Sequence, residues 1–460
     1  MGGITLAFLD ENYLLQNKTS KLLYESVKDL PILDAHNHGD VKEIVENKGW
    51  QDIWQVEGAT DHYVWELMRK GGVPEDKITG EATNKEKWNA LATVFPKFVG
   101  NPTYEWIHLD LKRMFKIEDN ISKYTAEKIW EDTSLLLKNE SMKPQQLLKK
   151  MNVEVMCTTN DPTEDLSYHE KAKKIEGIKI LPTWRPDKVM NIDKEGWQEF
   201  VEKLGEVTKE DVGTFEGFLK ALHKSHENFE DLGCVASDHG IFQPVSYPVE
   251  KTKVEEVYKK AFSRKELTCQ EISDFKSFIF HEFGKMNAES NWVMQLHIGA
   301  VRNYRDKLYM NLGPDAGGDI STNNIDIARG LKYFLNEYDE KLKIVIYPLD
   351  PSLFPSAATI ARAFPNVSLG TPWWFNDSPF GMEMYLKYIA TVDLLSDLAG
   401  WVTDSRKLIS YGSRTEMFRR ELSNVIGEMV EKGQIPTREA FDLVREICYE
   451  RPKKLFFEKN

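Results

Sequence analysis

The chain has 460 residues, 41% hydrophobic and 29% charged, a balance that excludes a disordered or fibrous protein and fits a folded globular one. That length allows two or three domains, or a single α/β barrel lengthened by insertions. With 60 Lys and Arg against 73 Asp and Glu the formal charge is −13, which excludes a broad nucleic-acid face but not a small anion held by a few arginines.

Taken in chain order, Met1 to Asp10 has no basic segment followed by a long apolar run, so no secretory signal is expected. Leu6 stands where a myristoylation motif needs Ser or Thr. Eight short apolar runs then follow, each ending in reactive polar residues. Ile32-Leu33 runs into Asp34-Ala35-His36-Asn37-His38, Val153 to Met156 into Thr158 to Asp161, and Ile178 to Leu181 into Trp184-Arg185. Cys234 to Ala236 leads into Ser237-Asp238-His239, and Trp292 to Leu296 into His297 and Arg302. The last three are Ile344 to Tyr347 before Asp350, Val367 to Leu369 before Trp373 to Asp377, and Leu398 to Val402 before Thr403-Asp404-Ser405-Arg406.

Such runs, separated by helical patterns, mark buried parallel strands joined by crossover helices. Val254, Val257, Tyr258 and Ala261 show the helical spacing, as do Leu386, Ile389 and Val392. Eight units predict a distorted (β/α)8 TIM barrel over residues 1–460 as one catalytic domain, with its site at the carboxyl ends of the strands. Residues 41–150 and 187–233 are too long for simple crossovers and read as helical insertions. No run approaches 18 apolar residues, so no membrane span is expected. Cys157, Cys234, Cys269 and Cys448 are scattered without a CxxC pair, which favours a reducing compartment, the cytoplasm, over a disulfide framework.

His36 and His38 sit two apart, so on a strand both imidazoles face one side and can reach one ion. Asp404 ends the eighth run, and in a closed barrel the eighth strand neighbours the first. Together they make a three-ligand site with an open position, suited to zinc or a similar divalent metal. The competing role for Asp404 is as an N-cap for a helix beginning near Lys407.

This arrangement resembles the amidohydrolase superfamily, and within it the uronate isomerase (glucuronate isomerase) family. The resemblance is carried by Asp34 to His38, Asp61-His62-Tyr63-Val64-Trp65, Trp184-Arg185-Pro186-Asp187, Ser237-Asp238-His239-Gly240 and Gln295 to Ala300. It continues through Trp373-Trp374-Phe375-Asn376-Asp377, Leu398 to Arg406 and Ser410 to Arg414. Asn37 departs from the family, which often has Cys between the two histidines.

The resemblance implies an aldose–ketose isomerase of hexuronic acids, converting D-glucuronate to D-fructuronate and D-galacturonate to D-tagaturonate. That chemistry needs a base for the C2 proton, an acid to return it, an electrophile for the enediolate and a grip on the carboxylate. The resemblance implies that Tyr63 is a proton-transfer group and His62 a substrate contact. Asp404 then serves twice, as ligand and as hydroxyl-proton shuttle. Arg185, Arg302 and Arg406 stand at strand ends, where guanidinium can hold a carboxylate by two-point hydrogen bonding. His297 and Trp373 read as further substrate contacts, while His239 is left between contact and structural roles. Proton transfer and metal-assisted hydride transfer both fit these residues. The competing enzyme class is a mononuclear metal-dependent hydrolase, against which the three arginines weigh. A barrel with helical insertions is also compatible with a homo-oligomer.

Overall fold

The structure, a computed structural model, describes residues 8–458, so the reading of Met1 to Leu6 lies outside the described residues. Among the described residues nine strands occur in chain order: β1 (Ile32–Asp34), β2 (Val153–Asn160), β3 (Lys179–Trp184), β4 (Ala236–Ile241), β5 (Val293–Ile298), β6 (Ala300–Val301), β7 (Ile320–Ser321), β8 (Lys343–Pro348) and β9 (Val367–Leu369). Seven form a curled parallel sheet in the order β1-β2-β3-β4-β5-β8-β9, while β6 and β7 pair as a small antiparallel ribbon. This is a distorted (β/α)8 barrel, with helices packed outside the sheet.

Alternation decides what each strand does. In β5, Met294, Leu296 and Ile298 face the helical layer, whereas Val293, Gln295 and His297 face inward. Val345 and Tyr347 of the neighbouring β8 do the same, and the Tyr347 hydroxyl donates to Gln295 Oε1 at 2.9 Å on the inner face. Leu455 and Phe456 join the same inner cluster. Outside, the helix Lys251–Phe262 buries Val254, Val257, Tyr258 and Ala261, the residues whose spacing predicted it.

The eighth run is not a strand. Leu398 to Val402 still fills the gap between β9 and β1, with Ala399 N–H donating to the Leu369 carbonyl at 2.9 Å. Gly400, at φ +94, and Asp404, at φ +50, break the extended repeat, so no regular ladder forms. On the β1 side, Asp404 N–H donates to the His36 carbonyl at 3.1 Å, and His38 N–H to the Ser405 carbonyl at 3.0 Å. The buried Asp34 carboxylate replaces missing ladder bonds by accepting from Thr403 N–H at 3.0 Å and Thr403 Oγ1 at 2.6 Å. Closure thus depends on side chains at the point where the site sits.

Residues 41–150 hold seven α-helices, among them Val41–Glu46, His62–Lys70 and Pro102–Asp110, and 187–233 hold three. No helix among the described residues is long and apolar enough to cross a membrane.

Candidate active site at the barrel mouth

His62–Lys70 forms a helix because Asp61 caps it, accepting from Tyr63 N–H at 2.9 Å. Val64 and Met68 bury one face, and Arg69 and Lys70 complement the dipole at the far end. The cap directs His62 and Tyr63 toward the barrel mouth. Lys407 ties this helix to the Asp404 loop, its buried ammonium lying 2.9 Å from Glu57 Oε2 and 3.1 Å from Asp61 Oδ2.

His36, His38, His62, Arg185, His297, Arg302, Trp373, Asp404 and Arg406 line one cavity at the carboxyl ends of the strands. Tyr63 reaches it through its hydroxyl, 3.5 Å from Asp404 Oδ2. The metal-ligand, proton-transfer and substrate-contact residues expected from sequence therefore line or reach one cavity; His239 does not. Asp404 caps no helix: the helix after it begins at Ser410, and its left-handed backbone instead turns the carboxylate toward β1.

His36 Nε2 and His38 Nε2 each lie 3.1 Å from Asp404 Oδ1. Tetrahedral ligands bound at ~2.0–2.1 Å stand roughly 3.3 Å apart, so these three donors match the edges of a metal's coordination shell. A second buried set, His36, Asp238 and His297, also has donors within 4.8 Å of one another. It is the poorer cation site, because Arg185 Nη1 already lies 3.1 Å from Asp238 Oδ2. Asp238 Oδ2 instead faces His36 Nδ1 at 3.4 Å, a carboxylate placed to fix the ring and leave Nε2 free for an ion.

The charges follow from burial and partners. Burial opposes protonation of His36, yet Asp238 and Asp404 outweigh it and raise its pKa. Burial dominates at His38 and His297, pushing them down to about 3 and about 4. Asp404 is buried too, but the two histidines beside it hold it well below the usual carboxylate range. The Tyr63 phenol is driven well above 10 by burial and then by Asp404, with Arg414 acting in the opposite sense.

Two residues were missed or left open in the sequence. The fourth run was ended at Ala236, but β4 continues to Ile241, so Asp238 shares the inward face with Ala236 and Gly240. His239 faces out, hydrogen-bonded to Ser237 Oγ at 2.7 Å and packed near Phe283, which settles it as a residue of the helical layer. Counting alternate positions from Ala236 would have found Asp238. A Cβ at Gly240 would fall 2.7 Å from Arg185 Nη2 and 2.9 Å from Asp187 Oδ2, so a side chain there would displace the arginine.

The family profile described as Glucuronate isomerase matches residues 6–456. The chain belongs to the glucuronate isomerase family. A uronate isomerase of Thermotoga sp. (strain RQ2) is 64% identical over 451 residues, covering 98% of this chain and 100% of the relative. The crystal structure of a uronate isomerase from Thermotoga maritima superposes with a TM-score of 0.97, at 64% identity over 98% of this chain and all of that one. A glucuronate isomerase from Caulobacter crescentus gives 0.94 at 25% identity, over 99% of this chain and 98% of that one. The chain is thus an aldose–ketose isomerase of this family, and the hydrolase alternative falls. The barrel does share its fold with a putative metal-dependent hydrolase from Lactobacillus casei, at TM-score 0.57 and 13% identity.

Proposed function

We propose that the chain interconverts D-glucuronate and D-fructuronate, and D-galacturonate and D-tagaturonate, by moving a proton between C2 and C1. His36, His38 and Asp404 would hold a divalent metal, zinc by the donor set of two imidazoles and a carboxylate. When bound, the ion supplies a positive charge that polarises a substrate oxygen and favours ionised oxygens nearby. The observation that carries this reading is the meeting of the His36–His38–Asp404 donors with three arginines and the Tyr63 hydroxyl at one cavity.

The protein's own groups divide the proton work. Tyr63 rests as a phenol and Asp404 as a carboxylate, 3.5 Å apart. Arg414 over the Tyr63 ring, with the charge a bound ion would add, favours the ionised phenol; with its proton released to water, the Tyr63 oxygen takes the proton leaving C2 and returns it to C1. Asp404 meanwhile exchanges protons with the O1 and O2 hydroxyls, so each group ends as it began. Arg185, Arg302 and Arg406 hold the carboxylate and hydroxyls. Arg185 is aimed by Asp187 at 2.8 Å and by Asp238 at 3.1 Å, and Arg302 lies over the Trp374 ring at 4.8 Å. His62, His297 and Trp373 complete the contacts. His297 Nε2 and Trp373 Nε1 are buried with no protein partner, which leaves them for sugar hydroxyls.

The test is turnover of both aldohexuronates after metal removal and after restoring zinc. Ketose formation that disappears on stripping and returns with metal is expected. Failure to turn over either uronate in the metal-loaded protein would defeat the assignment. The cytoplasm is the proposed compartment, where uronate reaches the protein as a free metabolite.

A further inference from the structure

Between Arg302 and Ser321 the chain leaves the barrel mouth as a strap, running through the helix Asp306–Leu312 and returning where β7 pairs with β6. It is fastened to the helix that carries Tyr63. Arg69 Nη1 donates to the Ala316 carbonyl at 2.5 Å. Gly317, at φ +84, lies so near Glu66 that a Cβ there would fall 2.5 Å from its Cγ. At the other end Asp319 accepts from Arg302 Nη1 at 2.6 Å and from Asn303 N–H at 2.7 Å.

Immediately before these anchors stands Asp315, in the left-handed conformation at φ +58. Its Oδ1 lies 3.5 Å from Arg406 Nη2 and 3.6 Å from Arg302 Nη1, two of the arginines lining the cavity. Arg406 and Arg302 outweigh burial and hold its carboxyl below the ordinary value. Both contacts are longer than the ~2.7–2.9 Å of a charge-assisted hydrogen bond, and the side chain is half exposed. The pair is loose, the kind of ion pair that contributes little.

We propose that Asp315 is a resident stand-in for the substrate's carboxylate, occupying Arg302 and Arg406 until a uronate displaces it. This rests on the reading that those arginines hold the uronate carboxylate. A uronate brings a planar carboxylate able to bond the guanidinium at two points, together with hydroxyls that bind elsewhere in the cavity, so it wins the exchange. Acetate or inorganic phosphate brings charge without the sugar's further contacts, and gains little over the carboxylate already present. Asp315 therefore lowers affinity for every anion and leaves only those with additional contacts able to enter. It sets how tightly any anion must bind to enter, and leaves the ratio between anions to the other contacts.

The test is Asp315→Asn, which keeps size and shape but removes the charge. KM for D-glucuronate is expected to fall roughly two- to tenfold, the scale of one or two loose ion pairs. Inhibition constants for acetate and inorganic phosphate should fall by a similar factor, a change that a purely structural role for the strap would not give. An unchanged or raised KM overturns the proposal, as does unchanged sensitivity to both anions. Arg302→Lys and Arg406→Lys, assayed alongside, keep the two readings apart. If either raises KM while Asp315→Asn does not lower it, the role of Asp315 alone fails. If neither alters KM, the carboxylate is held elsewhere and both readings fall.

Discussion

Replacing Tyr63 by Phe removes one atom from the site and leaves its packing in place. The ring is stacked on His62 at 4.5 Å and meets Trp106 edge-on at 5.7 Å, contacts that Phe retains. The lost hydroxyl makes a single long contact, 3.5 Å to Asp404 Oδ2. A hydrogen bond of normal length contributes about 0.5–1.5 kcal/mol, so the loss of stability should stay below about 1 kcal/mol. Turnover should fall far more, by roughly 100-fold or beyond, the usual scale of general acid–base assistance and equivalent to about 2.7 kcal/mol of transition-state stabilisation. Rates of ketose formation and the appearance of solvent deuterium at the C2 position of recovered aldose measure both halves. Tyr63→Ala is the contrast, since it opens a cavity and should cost about 3–5 kcal/mol in stability. A Phe variant with wild-type turnover, in a protein that never exchanges the C2 hydrogen, would refute the proton-transfer role. It would leave Tyr63 as a packing residue and favour direct hydride movement between the two carbons.

Lys407→Met should leave Glu57 and Asp61 buried without their cation and cost about 3 kcal/mol in urea unfolding, with turnover reduced because the capped end of His62–Lys70 loses its tie to the Asp404 loop. A loss under 1 kcal/mol would show that the cluster has neutralised itself, for which the Glu57 carboxyl, pushed up to about 8 chiefly by burial, is the group to watch. Glu421 gives the clearest pH signature, since burial and then Glu383 raise it to about 7 from 4.5. Its protonated form is favoured in the folded chain, so the stability it supports is fully present below about pH 4.5 and is lost as pH rises through 7. Glu421→Gln should therefore gain stability relative to the parent, most above pH 7 and by up to about 3 kcal/mol; equal unfolding midpoints at pH 5 and pH 8 for both proteins would contradict this.

Much of the site was legible because barrel chemistry gathers where strands end. His36 and His38 were marked by their spacing and their place after the first run, although β1 ends at Asp34 and both lie in the irregular segment beyond it, and Asp404 by the adjacency of first and last units in a closed barrel. Tyr63 was legible only through family resemblance, since nothing in a helix of residues 62–70 announces that its capped end meets Asp404. Asp238 was hidden by a boundary error. Ending the strand at Ala236 made a loop of residues that still alternate, because backbone pairing continues to Ile241 whatever the side chains. The irregular eighth segment was illegible for the opposite reason: its apolar run is strand-like, and only the left-handed turns at Gly400 and Asp404 prevent the ladder. Asp315 and Lys407 act through contacts across 91 or more positions of sequence, Asp315 to Arg406 and Lys407 to Asp61, and no local pattern encodes such pairs.

The central claim is that His36, His38 and Asp404 form one metal centre at the barrel mouth. Elemental analysis of the purified protein beside His36→Asn, His38→Asn and Asp404→Asn, each checked for native circular dichroism, tests it most directly. About one divalent ion per chain is expected in the parent and far less in each folded variant, with turnover lost in step. Three variants that keep a full complement of metal, or a fully active parent that carries none, would contradict the account.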